Sequence, residues 1–189
     1  MLNLIKNPNL KTIKAVHIGE MNMEKLNLTD KEANMLIALF KHLIDKHNIQ
    51  LVDGSNGTVK VESKNIDITG NHHKFKVDYM YALDNIHIQL RDCNTDYTLV
   101  RINLDDSFHK NSNGTLVRGN RVEIFSEQEF KNKLKKNRDT RTHVKAYPLP
   151  FKGINNTNDF LLATSDLFDY TNIEKPETPL FTINGQLIN

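Results

Sequence analysis

Five residues between positions 101 and 123 are of types that can act together chemically: Arg101, His109, Asn111, Arg121 and Glu123. Arginine offers a rigid fork of donors to a phosphate or carboxylate, and histidine exchanges a proton near neutral pH. With His109 as general acid or base, Glu123 as partner base, and Arg101 and Arg121 on the charge of a phosphorane, such a set is sufficient for metal-independent RNA cleavage. The five converge only if two strands pair around the loop that carries the histidine. Otherwise they are polar side chains on a solvated sheet face, the commonest place for them.

The elements that must position them are legible. Tyr97, Leu99, Arg101 and Asn103 alternate with Thr98, Val100, Ile102 and Leu104, a period-two pattern that predicts a strand. Val100, Ile102 and Leu104 face the core on this reading, with Arg101 and Asn103 opposite. Asp105-Asp106-Ser107 breaks the run, Asn113-Gly114 marks a tight turn, and Arg121 to Phe125 resumes as a strand.

This stretch resembles an uncharacterised bacterial domain family, a domain of unknown function. Its core reads approximately Leu-Leu-Arg-x-Asp, then Pro-His-x-Asn-Pro-Asp-Gly, then His-x-His-x-Tyr-x-Glu. The matching positions are Leu99, Val100, Arg101 and Asn103; Phe108, His109, Asn111, Ser112, Asn113 and Gly114; and Arg121, Glu123, Phe125 and Glu127. The likeness extends through Ala146-Tyr147-Pro148-Leu149 and Phe168 to Ile173, so that it runs from Thr29 to Pro176. Both histidines of the family's second strand are replaced, by Arg121 and Glu123, and its Asp is Asn103. Of three histidines that the resemblance would offer for metal binding or acid–base work, only His109 remains, too few ligands for a metal.

Around this centre the chain predicts an α+β domain over residues 29–176, with an N-terminal arm over 1–28 and an extended tail over 177–189. Thr29-Asp30-Lys31-Glu32 is a capping box, and Ala33, Leu36, Ile37, Phe40, Leu43 and Ile44 recur at helical spacing, which predicts an amphipathic helix from Asp30 to His47. Strands follow at Thr58 to Glu62, Ile66 to Ile68, Lys74 to Ala82 and Ile86 to Asp92, with His72-His73 in a turn. With the central pair they make an antiparallel sheet of about six strands. A short helix from Glu127, a closing strand at His143 to Tyr147 and a C-terminal helix capped at Asn158-Asp159 complete the set.

The helix at Glu127 opens a basic tract of Lys131, Lys133, Lys135, Lys136, Arg138, Arg141 and Lys145, interrupted by Asp139. In a chain of 189 residues with net charge +2, so local a concentration points to an anionic partner. With Asn111 these residues form the candidate binding set. No aromatic residue lies between Lys131 and Lys145, which favours backbone phosphates or an acidic protein surface over base stacking.

One cysteine, Cys93, excludes an internal disulfide framework and fits a reducing cytosol. No apolar run is long enough for a membrane span. No phosphate loop, Rossmann glycine pattern, nucleophile elbow or zinc-ligand spacing occurs, so neither cofactor nor metal is expected. Heavy use of Asn, Lys, Ile and Asp points to an AT-rich bacterial or phage gene.

Two readings follow. The first is a cytoplasmic accessory protein of a mobile element or phage that binds a nucleic acid or nucleoprotein in phage–host conflict, for example as an inhibitor of a CRISPR effector. The second is a ribonuclease toxin of a toxin–antitoxin pair, using His109 with Arg101, Arg121 and Glu123. Oligomeric state is not legible.

Overall fold

The computed structural model describes residues 26–44, 47–66, 70–136 and 142–183. Among them the chain is α+β, with helices α1 (Asp30–Ala38), α2 (Glu127–Lys135) and α3 (Phe160–Tyr170). Seven strands build one antiparallel sheet: β1 (Lys41–Leu43), β3 (Ser55–Ile66), β4 (His72–Ala82), β5 (Asn85–Asp92), β6 (Thr98–Leu104), β9 (Arg121–Phe125) and β10 (Val144–Pro148). They lie side by side in the order β1-β3-β4-β5-β6-β9-β10. Two small sheets flank it: a hairpin of β7 (Phe108–Lys110) and β8 (Leu116–Arg118), and a parallel pair of β2 (Ile49–Leu51) and β11 (Phe181–Ile183).

One face of the large sheet is the main core. Val77, Ile88, Leu90, Val100, Ile102 and Val122 pack there with Phe160, Ala163, Leu167 and Phe168 of α3. Each such side chain contributes roughly 1.5–3 kcal/mol by leaving water. Asp159 caps α3, its carboxylate accepting from the backbone N–H groups of Leu161 and Leu162 at 2.7 and 3.1 Å. Leu161 itself points outward at 41% exposure.

The capping box forms as expected, Thr29 and Glu32 each accepting from the other's backbone N–H. The helix it starts is shorter than the apolar spacing predicts. It ends at Ala38, and residues 41–43 pair with Ser63, Glu62 and Val61 of β3 as an edge strand. The run from Phe40 to Ile44 satisfies both periods, and the burial follows the strand: Lys41 and Leu43 are buried while Phe40 and Ile44 are exposed. Sheet pairing overrides helical spacing where the two compete.

Lys41 is fully buried, and its ammonium donates to the carbonyls of Ile37, Leu39 and Thr171 at 2.8, 2.7 and 2.6 Å. One side chain thus closes the C-terminal ends of α1 and α3 together. Burial lowers its pKa from 10.5 to about 7, and the three carbonyl acceptors work against that fall.

The strand expected at Thr58 to Glu62 runs on to Ile66, where a second one is expected to start, as the single strand β3, with an irregular register between Glu62 and Ile66. Residues 67–69 lie outside the described residues, as do 1–25 of the expected arm and 184–189 of the expected tail. His72 and His73 open β4 rather than sitting in a turn. His72 Nδ1 lies 2.7 Å from the Ser63 carbonyl, and His73 Nε2 lies 2.9 Å from Asp92 Oδ1. Among the described residues no helix is long and apolar enough to cross a membrane.

Candidate functional site

The face of the sheet opposite the core carries the chemistry. Strand β6 pairs antiparallel with β9, which sets Arg101 opposite Glu123 and Asn103 opposite Arg121. On its other side β6 sets Arg101 opposite Gln89 and Asn103 opposite His87. Alternation puts Val100, Ile102 and Val122 in the core, so the polar partners fall together on the far side.

They do not lie open to solvent. Asn103, Arg121 and Glu123 are 1%, 6% and 8% exposed. Glu123 accepts from Arg121 Nε at 3.0 Å, and His109 Nδ1 lies 3.3 Å from the same oxygen. Arg121 also donates to Asp105 at 2.8 Å, to the Gly119 carbonyl at 3.1 Å and to Ser107 Oγ at 3.2 Å. Burial raises the pKa of both carboxyls. Hydrogen bonds from His109 and Arg121 to Glu123, and from Arg121 and Ser107 to Asp105, outweigh it and hold both below their ordinary values. Burial lowers the pKa of Arg101, which the neighbouring Glu123 opposes.

The hairpin β7–β8 and helix α2 cover the β9–β10 end of this face. Asn113-Gly114 makes the hairpin turn, with Gly114 at φ +94°, a conformation that favours glycine. The hairpin turns His109 and Val117 inward, and His109 reaches Glu123 from above. Its other ring nitrogen, Nε2, lies 3.5 Å from Lys133 Nζ on α2. One nitrogen faces an acceptor and the other a donor, which the Nδ1–H tautomer satisfies. Helix α2 begins at Ser126, whose Oγ accepts from the Glu129 N–H at 3.2 Å, with acidic residues in its first turn and basic ones in its last. Val117, Phe130, Val144 and Ala146 are buried here, apart from the main core.

Asn111 and Lys133, both of the expected binding set, lie in the interior. Asn111 is 3% exposed, and its amide donates to the Ala146 carbonyl at 3.0 Å and accepts from the Ala146 N–H at 2.9 Å. Ala146 lies opposite Glu123 on the outermost strand of the sheet, so this side chain stands in for the next strand and closes the edge. Lys133 is 6% exposed, donates to Thr142 Oγ1 at 2.6 Å and lies 3.5 Å from Glu129. Glu129 is itself buried and accepts from the N–H and Oγ of Ser112. The Lys133 ammonium is thus already engaged within the fold.

The remaining members of the tract divide. Lys131 pairs with Glu127 at 2.5 Å, and Lys136 donates to the Ser112 carbonyl at 2.8 Å. Both are exposed, as is Lys135. Lys145 lies 5.4 Å from the Tyr147 ring centre, opposite Ile124, and so on the other face from Glu123. Arg138 and Arg141 lie outside the described residues. Among the described residues no three His, Cys, Asp or Glu side chains gather as a metal-binding group.

Three surface cavities, of about 350, 180 and 220 Å³, are lined by other residues than Arg101, His109 and Glu123. The one nearest in the fold includes Asp84, Asp105 and Asp106, the wrong charge for a phosphate. The residues sequence reasoning missed are Asp105 and Ser107, which complete the Arg121 network, and the outward pairs Phe108–Arg118 and Lys110–Leu116 of the hairpin. The alternation Phe-His-Lys and Leu-Val-Arg on either side of Asn113-Gly114 is the signal that identifies them.

No curated protein and no solved structure matches the chain. The model of the family of unknown function DUF6978 matches residues 28–173, which includes the whole polar face, the hairpin and helices α1 to α3. The chain therefore belongs to the family of unknown function DUF6978.

Proposed function

We propose that the protein is a binding protein for an anionic partner, a nucleic acid or nucleoprotein, and performs no acid–base step. The observation that carries the reading is the state of His109. Both ring nitrogens are engaged, by Glu123 and by Lys133, and its side chain is 10% exposed. A general acid or base must reach the proton it moves, and His109 faces inward. Arg121 is likewise consumed by Asp105, Glu123 and Ser107. Binding through exposed lysines asks nothing of these residues, which serve to fix the hairpin and α2 on the sheet.

The biological setting we propose is conflict between a mobile element or phage and its host, in the cytoplasm. Inhibition of a CRISPR effector is one form of it. A single cysteine and the AT-rich composition support this setting.

The test is incubation of the purified protein with labelled single-stranded RNA, with and without chelator, beside His109→Gln. Retention of intact RNA that weakens with salt is the expected result. Cleavage that disappears in His109→Gln would overturn it in favour of a ribonuclease.

A further inference from the structure

We propose that the outer face of the β7–β8 hairpin is a stacking platform for single-stranded nucleic acid, Phe108 receiving a base while Lys110, Arg118 and the lysines of α2 follow the phosphates. This rests on the anionic-partner reading above and names the form of the partner.

The register of the hairpin defines the platform. Phe108 stands opposite Arg118, and Lys110 opposite Leu116, so all four share one face, while His109 and Val117 form the other. The inner face is packed onto the sheet. On the outer face Phe108 is 55% exposed and Leu116 44%, with Lys110 and Arg118 exposed beside them. Arg118 sits 5.1 Å from the Phe108 ring centre, a cation–π arrangement that leaves over half of the residue open. An aromatic ring flanked by cations is what the basic tract of α2 lacks, and the fold supplies it from the neighbouring element.

The platform is held rigid. Asn111 fastens the hairpin to β10, Glu129 and Lys136 of the α2 segment hold Ser112 at its turn, and His109 holds it to Glu123. An aromatic fixed in place loses little freedom on stacking. The charge is favourable as well. Among the described residues Lys110, Arg118, Lys135 and Lys136 have no carboxylate partner, and the acidic residues of α2 are taken by Lys131, Ser112 and Lys133. Asp106, exposed near the hairpin's base, is a contrary charge there, while Asp105 beside it is paired with Arg121.

A ring of this kind selects for single strands. In a duplex the base faces are covered by their neighbours, whereas an unpaired base can lie on the ring while its phosphates meet the cations.

The experiment is fluorescence anisotropy with labelled oligouridylate and with a labelled RNA duplex, on wild type, Phe108→Ala and Phe108→Tyr. Phe108→Ala is expected to weaken oligouridylate binding about 5- to 150-fold, with duplex binding and melting temperature unchanged and Phe108→Tyr close to wild type. Unchanged oligouridylate binding in Phe108→Ala would overturn the platform and leave the anionic-partner reading standing on α2. Equal losses on both probes would overturn it too, since phosphate contact alone would explain them. A wild-type protein that binds neither probe at low salt removes the platform and the reading together, and moves the search to an acidic protein surface.

Discussion

His109 Nδ1 lies 3.3 Å from Glu123 Oε1, and the two side chains are 10% and 11% exposed. A residue of the covering hairpin is thus hydrogen-bonded to the strand beneath it, in a place that water barely reaches. Because Arg121 binds the same carboxylate, the pair is one edge of a network of His109, Glu123, Arg121 and Asp105.

The network makes the fold acid-sensitive. Glu123 and Asp105 have pKa values below 4.5 and 3.8, so each binds a proton less readily folded than unfolded. Their contribution is complete above those ordinary values and is lost as pH falls below them, through the lowered folded values. Urea unfolding from neutral to acid pH should show stability falling in that window, and falling less steeply for Glu123→Gln. At neutral pH Glu123→Gln is expected to cost about 1–3 kcal/mol, since Arg121 keeps Asp105. Parallel pH profiles for the two proteins would refute the assignment.

Asn111→Ala should be more damaging than an exposed loop asparagine warrants. It leaves the N–H and C=O of Ala146 unpaired at a buried edge, for a loss of about 1–3 kcal/mol. It also opens the side of β10 to other chains, so self-association should rise. Chemical denaturation and light scattering measure the two effects, and a variant as stable and monodisperse as wild type would contradict the edge-closing role.

Replacement of Lys41 by Met should destabilise the protein by at least about 3 kcal/mol. Methionine matches the length of the stem, but three buried carbonyls at the ends of α1 and α3 lose their donor. Hydrogen exchange should show α1 and the end of α3 opening together in the variant. Independent behaviour of the two helices would argue against the shared closure.

The lysines of α2 should separate by role. Lys131, Lys135 and Lys136 changed together to Gln should flatten the dependence of log affinity on log salt by about 2 for a single strand. Lys133→Met should instead lower the melting temperature, because its partners are the buried Glu129 and the half-buried Thr142. If Lys133→Met changed the salt slope and spared stability, its placement in the interior would be wrong.

Strands β4, β5, β6, β9 and β10, the capping box and the two later helices could be read from the sequence, because alternation, caps and turn residues act over a few positions and nothing distant opposed them. The end of α1 was not legible. Phe40 to Ile44 suits a helix and a strand equally, and the choice falls to Ser63, Glu62 and Val61, some twenty positions away, which supply the pairing. The basic tract shows the same limit. Seven positive residues between positions 131 and 145 look alike in sequence, yet Lys133 is internal and Lys131 is exposed, since helical rotation turns one toward the hairpin and the other to water.

Local patterning is enough to assign the α+β class, to put Arg101, Arg121 and Glu123 on the face opposite the core, and to place a tight turn after His109. Period-two patterning assigns each side chain to a face without reference to its partners. The contacts those residues make depend on elements distant in the chain. Whether a guanidinium is free for a phosphate or spent on a carboxylate depends on which strand lies beside it and what folds over it. Here β9 lies beside β6 and the hairpin folds over the β9 end of the face, so Arg121 is spent on Glu123 and Asp105 and His109 meets Glu123, while Phe108 and its neighbouring cations stay exposed.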